Sequence, residues 1–178
     1  MKTQEAPLVN KVAQSGLITL ELEDFHPGEE WVEIDMADFL FKGLILKEKE
    51  FRQKVSEEDW DRYADKNVHV LCSTDAIVPP WAYMLISKNL LEAGAVHAFG
   101  SKEEAIDKTM ARNLEQNLNP GEFEDKRILV KGCSTKKIPQ GIYMLVTEKL
   151  RPVVKSLMYG EACSNVPVYK KPVSRKRR

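Results

Sequence analysis

The stretch Asp65-Lys-Asn-Val-His-Val-Leu-Cys-Ser-Thr74 returns sixty residues later as Asp125-Lys-Arg-Ile-Leu-Val-Lys-Gly-Cys-Ser-Thr135. With one single-residue gap in each copy, the match runs through residues 65–100 and 125–160. It pairs Cys72 with Cys133, Pro79 with Pro139, Tyr83-Met-Leu85 with Tyr143-Met-Leu145, Leu90 with Leu150 and Gly100 with Gly160. Two unrelated strand–helix–strand units would share apolar positions, but they have no reason to share Cys-Ser-Thr, proline and Tyr-Met-Leu as well. The repeat reads as an internal duplication, and a repeat constrains architecture before any single element does.

Each copy reads as strand, Cys loop, helix, strand. Val68-His-Val-Leu71 and residues 127–131 are short β-rich runs ending at a cysteine loop. Pro79-Pro80 and Pro139 suit a helix start, where a missing N–H costs nothing. The helices then run to about residues 93 and 150, and strands follow at 95–99 and 156–159. Residues 102–117 form an amphipathic helix stopped by Asn119-Pro-Gly121, and residues 166–169 make a last edge strand. Before the repeat, Leu17-Ile-Thr-Leu-Glu-Leu22 and Trp31-Val-Glu-Ile-Asp35 alternate as half-buried strands and are expected to pair as a hairpin around His26-Pro-Gly28. Residues 39–46 leave helix and strand open. Residues 47–55 read as a charged surface helix, and Ser56 with Asp59 as a capping box for a short helix through Tyr63. Strands separated by helices favour parallel pairing through right-handed crossovers. The expected fold is one α/β domain over residues 1–171 with a mixed, partly parallel sheet, followed by a basic flexible tail at 172–178.

The composition, 43% apolar and 30% charged over 178 residues, is that of a globular protein. Formal net charge is zero, so no global field recruits nucleic acid or a membrane, and neither is an expected partner. Arg175-Lys-Arg-Arg178 is the one strong charge run, readable as a phosphate contact or a solvated tail. Neither a signal-peptide core nor a run of membrane-spanning length is visible, so the expected compartment is the cytoplasm, where thiols stay reduced.

All three cysteines, Cys72, Cys133 and Cys163, are followed by serine. Carboxyl ends of parallel strands are where α/β sheets bind ligands. If the three loops converged, their thiolates would form a soft ligand set for zinc or an iron–sulfur cluster, with Glu161 as an oxygen ligand. No Cys-x-x-Cys pair is present, so the fold would have to assemble such a site. Cysteine also packs as a small hydrophobe. A thiolate at a helix N-terminus, beside Ser73-Thr74 or Ser134-Thr135 as an anion site, is the third reading; it would need His26, His69 or His97 as a base. No glycine-rich phosphate loop or nucleophile elbow is present.

Residues Glu23-Asp-Phe25, Gly43-Leu-Ile-Leu46, Cys72-Ser73 with Asp75-Ala-Ile77, and Trp81-Ala-Tyr-Met84 resemble a bacterial family of uncharacterised proteins. So do Val153-Val-Lys-Ser156, Met158-Tyr-Gly-Glu161, Cys163-Ser164 and Val166-Pro-Val-Tyr-Lys-Lys171. This is the domain of unknown function numbered 2480. The resemblance spans about residues 9–171 and brings no established activity or site. It implies a place beside iron–sulfur assembly, which favours the soft-ligand reading. The expectation is therefore a non-enzymatic accessory protein binding a metal or cluster through Cys72, Cys133 and Cys163. The alternatives are a protein-interaction module with structural cysteines and a thiol enzyme.

Overall fold

The structure is a computed structural model that describes residues 16–132 and 134–172. Its chain is α/β; the described residues hold seven strands and four α-helices, and the chain divides into two compact units. One is His26–Asn113; the other joins the described residues up to Phe25 with those from Leu114 onward.

In His26–Asn113 the strands β2 (Trp31–Asp35), β3 (Asn67–Leu71) and β4 (Val96–Phe99) form an all-parallel sheet in the order β2-β3-β4. The central strand β3 buries Val68, His69 and Val70 in succession, as expected where both faces are covered. Helix α1 (Glu48–Glu57) is charged along most of its length but is pinned by Phe51 and Val55, one turn apart and both buried. Phe51 meets the Trp81 ring edge-on at 5.5 Å and tilts against Phe39 at 6.0 Å. Helix α2 (Pro80–Glu92) buries Ala82, Ile86 and Leu90 at helical spacing. It closes with Gly94 N–H on Leu91 O and Ala95 N–H on Leu90 O, a Schellman ending. Helix α3 (Lys102–Asn117) starts on a reciprocal capping box. The Ser101 N–H donates to Glu104 Oε2 at 2.8 Å, and the Glu104 N–H donates to Ser101 Oγ at 3.3 Å.

In the other unit, β1 (Leu17–Leu20), β5 (Arg127–Lys131) and β6 (Ser156–Glu161) are parallel, and β7 (Ser164–Lys170) returns antiparallel to β6. The order is β1-β5-β6-β7, with a bulge at Leu157/Met158. Helix α4 (Gln140–Leu150) buries Ile142, Val146 and Leu150. Together with Ile128, Val154 and Leu157 these are among the most buried apolar side chains of the unit.

The elements of both sequence copies form where expected. Two readings before the repeat are corrected. The strands at 17–22 and 31–35 do not pair with each other: β1 pairs with β5 and β2 with β3, in different sheets. Alternation marks a half-buried strand but carries no information about its partner. Ser56 does not cap a second helix; it lies inside α1, donating to Gln53 O, and the short 3-10 turn Trp60–Tyr63 follows Asp59 without a side-chain cap. Residues 39–46, left open by the sequence, end a 3-10 turn at Phe39 and close a tight bridge between Phe41 and Ile45. The tail beyond Pro172 and the first fifteen residues lie outside the described residues.

Candidate functional site at the Cys-Ser-Thr loops

Cys72 follows β3 at the carboxyl end of the parallel sheet, half-buried. Its Sγ lies 3.5 Å from Thr74 O, and the Thr74 hydroxyl donates to Gly43 O at 2.7 Å. Asp35, at the end of the neighbouring strand β2, holds the loop. Its Oδ1 accepts the Ser73 N–H at 3.0 Å and the Ala37 N–H at 2.9 Å. Burial alone would raise the Asp35 carboxyl, but the bonds from Ser73 and Ala37 outweigh it and hold the group below its ordinary range. Tyr83, on α2, packs edge-on against Phe99 at 5.4 Å. Burial pushes its hydroxyl upward, with the Cys72 and Asp35 charges adding to the shift.

The second loop is built the same way with a different acid. Glu23, in the 3-10 turn just after β1, accepts the Thr135 N–H at 2.7 Å and the Thr135 hydroxyl at 2.8 Å. These bonds hold its carboxyl below the ordinary value. Tyr143 and Tyr159 pack edge-on at 5.7 Å, matching Tyr83 and Phe99. Burial, then the Tyr159 neighbour, raises Tyr143. Two non-glycine residues in the left-handed region, Asp65 and Asp125, precede the equivalent strands β3 and β5.

In each loop a backbone N–H that could have met a ligand's anion already meets the protein's own carboxylate. The helices that follow start at prolines: Pro79 caps α2 and Pro80 is its first residue, and Pro139 caps α4. Pro80, the first residue of α2, removes one of the N–H donors that an anion or thiolate site uses.

Beside the second loop, α4 and the β6–β7 hairpin leave an open groove of about 470 Å³, lined by Val130, Ile138, Tyr143, Tyr159, Val166 and Val168 among others. Among the described residues its lining holds no charged side chain; Gln140, Thr147 and the two tyrosines supply its polarity. Exposed Met144, on α4, adds to the unit's uncovered apolar surface.

Residues 6–171 match the family described as "Protein of unknown function (DUF2480)". The chain belongs to this family. No curated protein and no solved structure matches it. The family's description assigns no chemistry, so the residues of this DUF2480 chain must carry the argument alone.

Among the three cysteines of this family member, Cys72 lies at the end of β3 in one unit. Cys163 is exposed between β6 and β7 in the other, and Cys133 falls outside the described residues. Among the described residues, no group of three or more His, Cys, Asp or Glu side chains is placed to hold a metal ion. Glu161, the candidate oxygen ligand, instead helps to hold the Lys131 ammonium, which Glu21 pairs directly at 3.0 Å. Each histidine is engaged. His26 Nδ1 accepts the Gly28 N–H, and His69 Nδ1 sits 3.3 Å from Gly100 O. His97 Nε2 is 2.7 Å from Ser87 Oγ, and burial lowers its pKa. None of these bonds directs a histidine at a thiol. No helix of the described residues is long and apolar enough to cross a membrane.

Sequence reasoning did not find Asp35, Glu23 or the groove. The only available signal for the acids was their place at or just after an alternating strand, and the groove depended on where β7 would lie.

Proposed function

We propose that the protein is a non-enzymatic binding module that holds an apolar segment of a protein partner in the groove between α4 and the β6–β7 hairpin. The observation that carries this reading is the groove's lining, uncharged among the described residues and including Val166 and Val168, which are 62% and 53% exposed. Exposed apolar surface gathered around a concavity marks an interaction site, where scattered single residues would not. An uncharged lining matches an apolar segment and penalises a charged one through desolvation. The Cys-Ser-Thr loops serve this module as strand-to-helix connectors tied down by Asp35 and Glu23. The sequence repeat we read as a duplication, supported by the matched loop ties, aromatic pairs and helix starts of the two units.

Selection from a display library of random twelve-residue peptides tests it. Enriched sequences should carry an apolar run, and their affinity, measured by calorimetry, should fall at least about tenfold in Val168→Glu, which buries an unpaired charge. Enrichment of charged sequences, or affinity unchanged by Val168→Glu, would overturn the reading.

The cysteine-ligand reading stands second, as a zinc or iron–sulfur accessory using Cys72, Cys133 and Cys163. It is favoured by the free thiols of Cys72 and Cys163, each beside a serine. Anaerobic purification with elemental analysis decides it: stoichiometric metal lost in Cys163→Ser supports ligation, and metal-free protein removes it.

A further inference from the structure

The zero net charge hides a segregation. Residues 1–25 and 114–178 contain 16 Lys and Arg against ten acids, a formal +6, and within them residues 126–172 hold ten of the cations against two acids, Glu148 and Glu161. His26–Asn113 carries 11 basic against 17 acidic residues, a formal −6. Opposed charge on different parts of one chain is the pattern of a protein that meets a polyanion with one face.

The structure shows where part of that basic charge gathers. Arg127 on β5 is in register with Ser156 on β6, and Ser156 with Lys170 on β7. Facing partners share one side of a sheet, so cation, hydroxyl and cation form a row across three strands, about 10 Å from end to end. A cleft of about 370 Å³ beside this row is lined also by Lys155 and by Tyr169, whose ring carries the Arg151 guanidinium at 5.3 Å. Asp125, an acid just before β5, is paired with Lys171 at 2.6 Å. Beyond Pro172 the sequence adds Arg175-Lys-Arg-Arg178.

We infer that the Arg127–Ser156–Lys170 row and its cleft bind the phosphate backbone of single-stranded nucleic acid. A row of cations across a sheet suits a strand whose phosphates repeat along a line. A flat lipid surface cannot enter a concave cleft. This site is separate from the apolar groove and stands or falls independently of it.

The test is fluorescence anisotropy of the full chain with a labelled twenty-nucleotide oligo-dT. With three phosphate contacts, from Arg127, Lys155 and Lys170, affinity should fall roughly 20-fold between 50 and 200 mM salt. The Arg127→Gln/Lys155→Gln/Lys170→Gln variant should reduce the slope of log affinity against log salt by about 2. If circular dichroism shows the triple variant misfolded, Lys170→Gln alone should reduce it by about 0.7. No binding at 50 mM salt, binding insensitive to salt, or a slope unchanged by these variants would overturn the inference. So would loss of binding on removal of residues 173–178 while the folded triple variant binds normally, which would assign binding to the tail alone. Binding to vesicles containing phosphatidylserine without binding to oligo-dT would overturn it in favour of a membrane site.

Discussion

In His26–Asn113 the sheet ends at β4, and the outward carbonyls of that strand are closed by side chains: Lys108 donates to Phe99 O at 2.6 Å and Arg112 to His97 O at 3.3 Å. In the other unit, β6 occupies the matching place in the sequence repeat, and its edge is closed by a further strand, β7. Charged side chains and strand pairing are alternative ways to blunt an edge that would otherwise recruit another chain. The second way has a consequence that the first lacks. A strand laid beyond the span of α4 extends the sheet past its helical cover and leaves the apolar groove. It also completes the Arg127–Ser156–Lys170 row. Both proposed binding sites thus arise where the two units differ, whereas the units agree at the Cys-Ser-Thr loops, each tied to a carboxylate, Asp35 or Glu23.

The largest effects should fall on the shared core. Leu90→Ala and Leu150→Ala remove repeat-equivalent, fully buried side chains, and each should cost about 2–5 kcal/mol in denaturant unfolding. A difference between them beyond that range would show that the equivalent helices are not equivalently packed.

Gly160→Ala should cost about 3 kcal/mol, because at φ +126 an added Cβ would meet Ser164 O at 2.5 Å, and the backbone of the β6–β7 turn cannot step aside. Gly100→Ala, at φ +123, meets the Glu104 side chain instead. It should cost less, about 1–2 kcal/mol, by breaking the capping box. Equal costs would remove the distinction between the two edges.

Asp35→Ala should cost about 1–2 kcal/mol by releasing the Ser73 and Ala37 N–H groups. Glu23→Ala, at a more exposed carboxylate, should cost measurably less. Because the folded Asp35 pKa is lowered, its contribution is present above the unfolded value of about 3.9 and is lost as pH falls through the lower folded value. Wild type and Asp35→Ala should therefore converge in stability in strongly acidic solution; a gap that persists there would contradict the assigned tie.

The smallest effect on stability, and the most specific, belongs to the β4 edge. Lys108→Ser/Arg112→Ser should change unfolding by less than about 1 kcal/mol yet promote concentration-dependent association in size-exclusion chromatography. An unchanged elution profile would mean that these side chains do not guard the edge.

Much of this fold is legible in sequence because the repeat fixes where strands and helices start. Pro79 and Pro139 mark helix entry, and Ala82-Ile86-Leu90 and Ile142-Val146-Leu150 mark the buried faces. Strand partners are not legible: Leu17–Leu20 pairs with residues 110 positions away, and nothing in a four-residue alternation states that. The loop ties escape for the same reason, Asp35 reaching Ser73 across 38 positions and Glu23 reaching Thr135 across 112. The cysteines drew attention because residue type is visible and distance is not. Val166-Pro-Val168 reads only as an edge strand until its position beside α4 is known.

The division between connector loops and a binding groove is tested most directly by amide chemical-shift mapping with a selected apolar peptide. Shifts should concentrate at Tyr143, Tyr159, Val166 and Val168 and leave Ser73 and Thr135 unmoved. Shifts centred on Ser73, Ser134 and Thr135, with the groove silent, would contradict it and return function to the Cys-Ser-Thr loops.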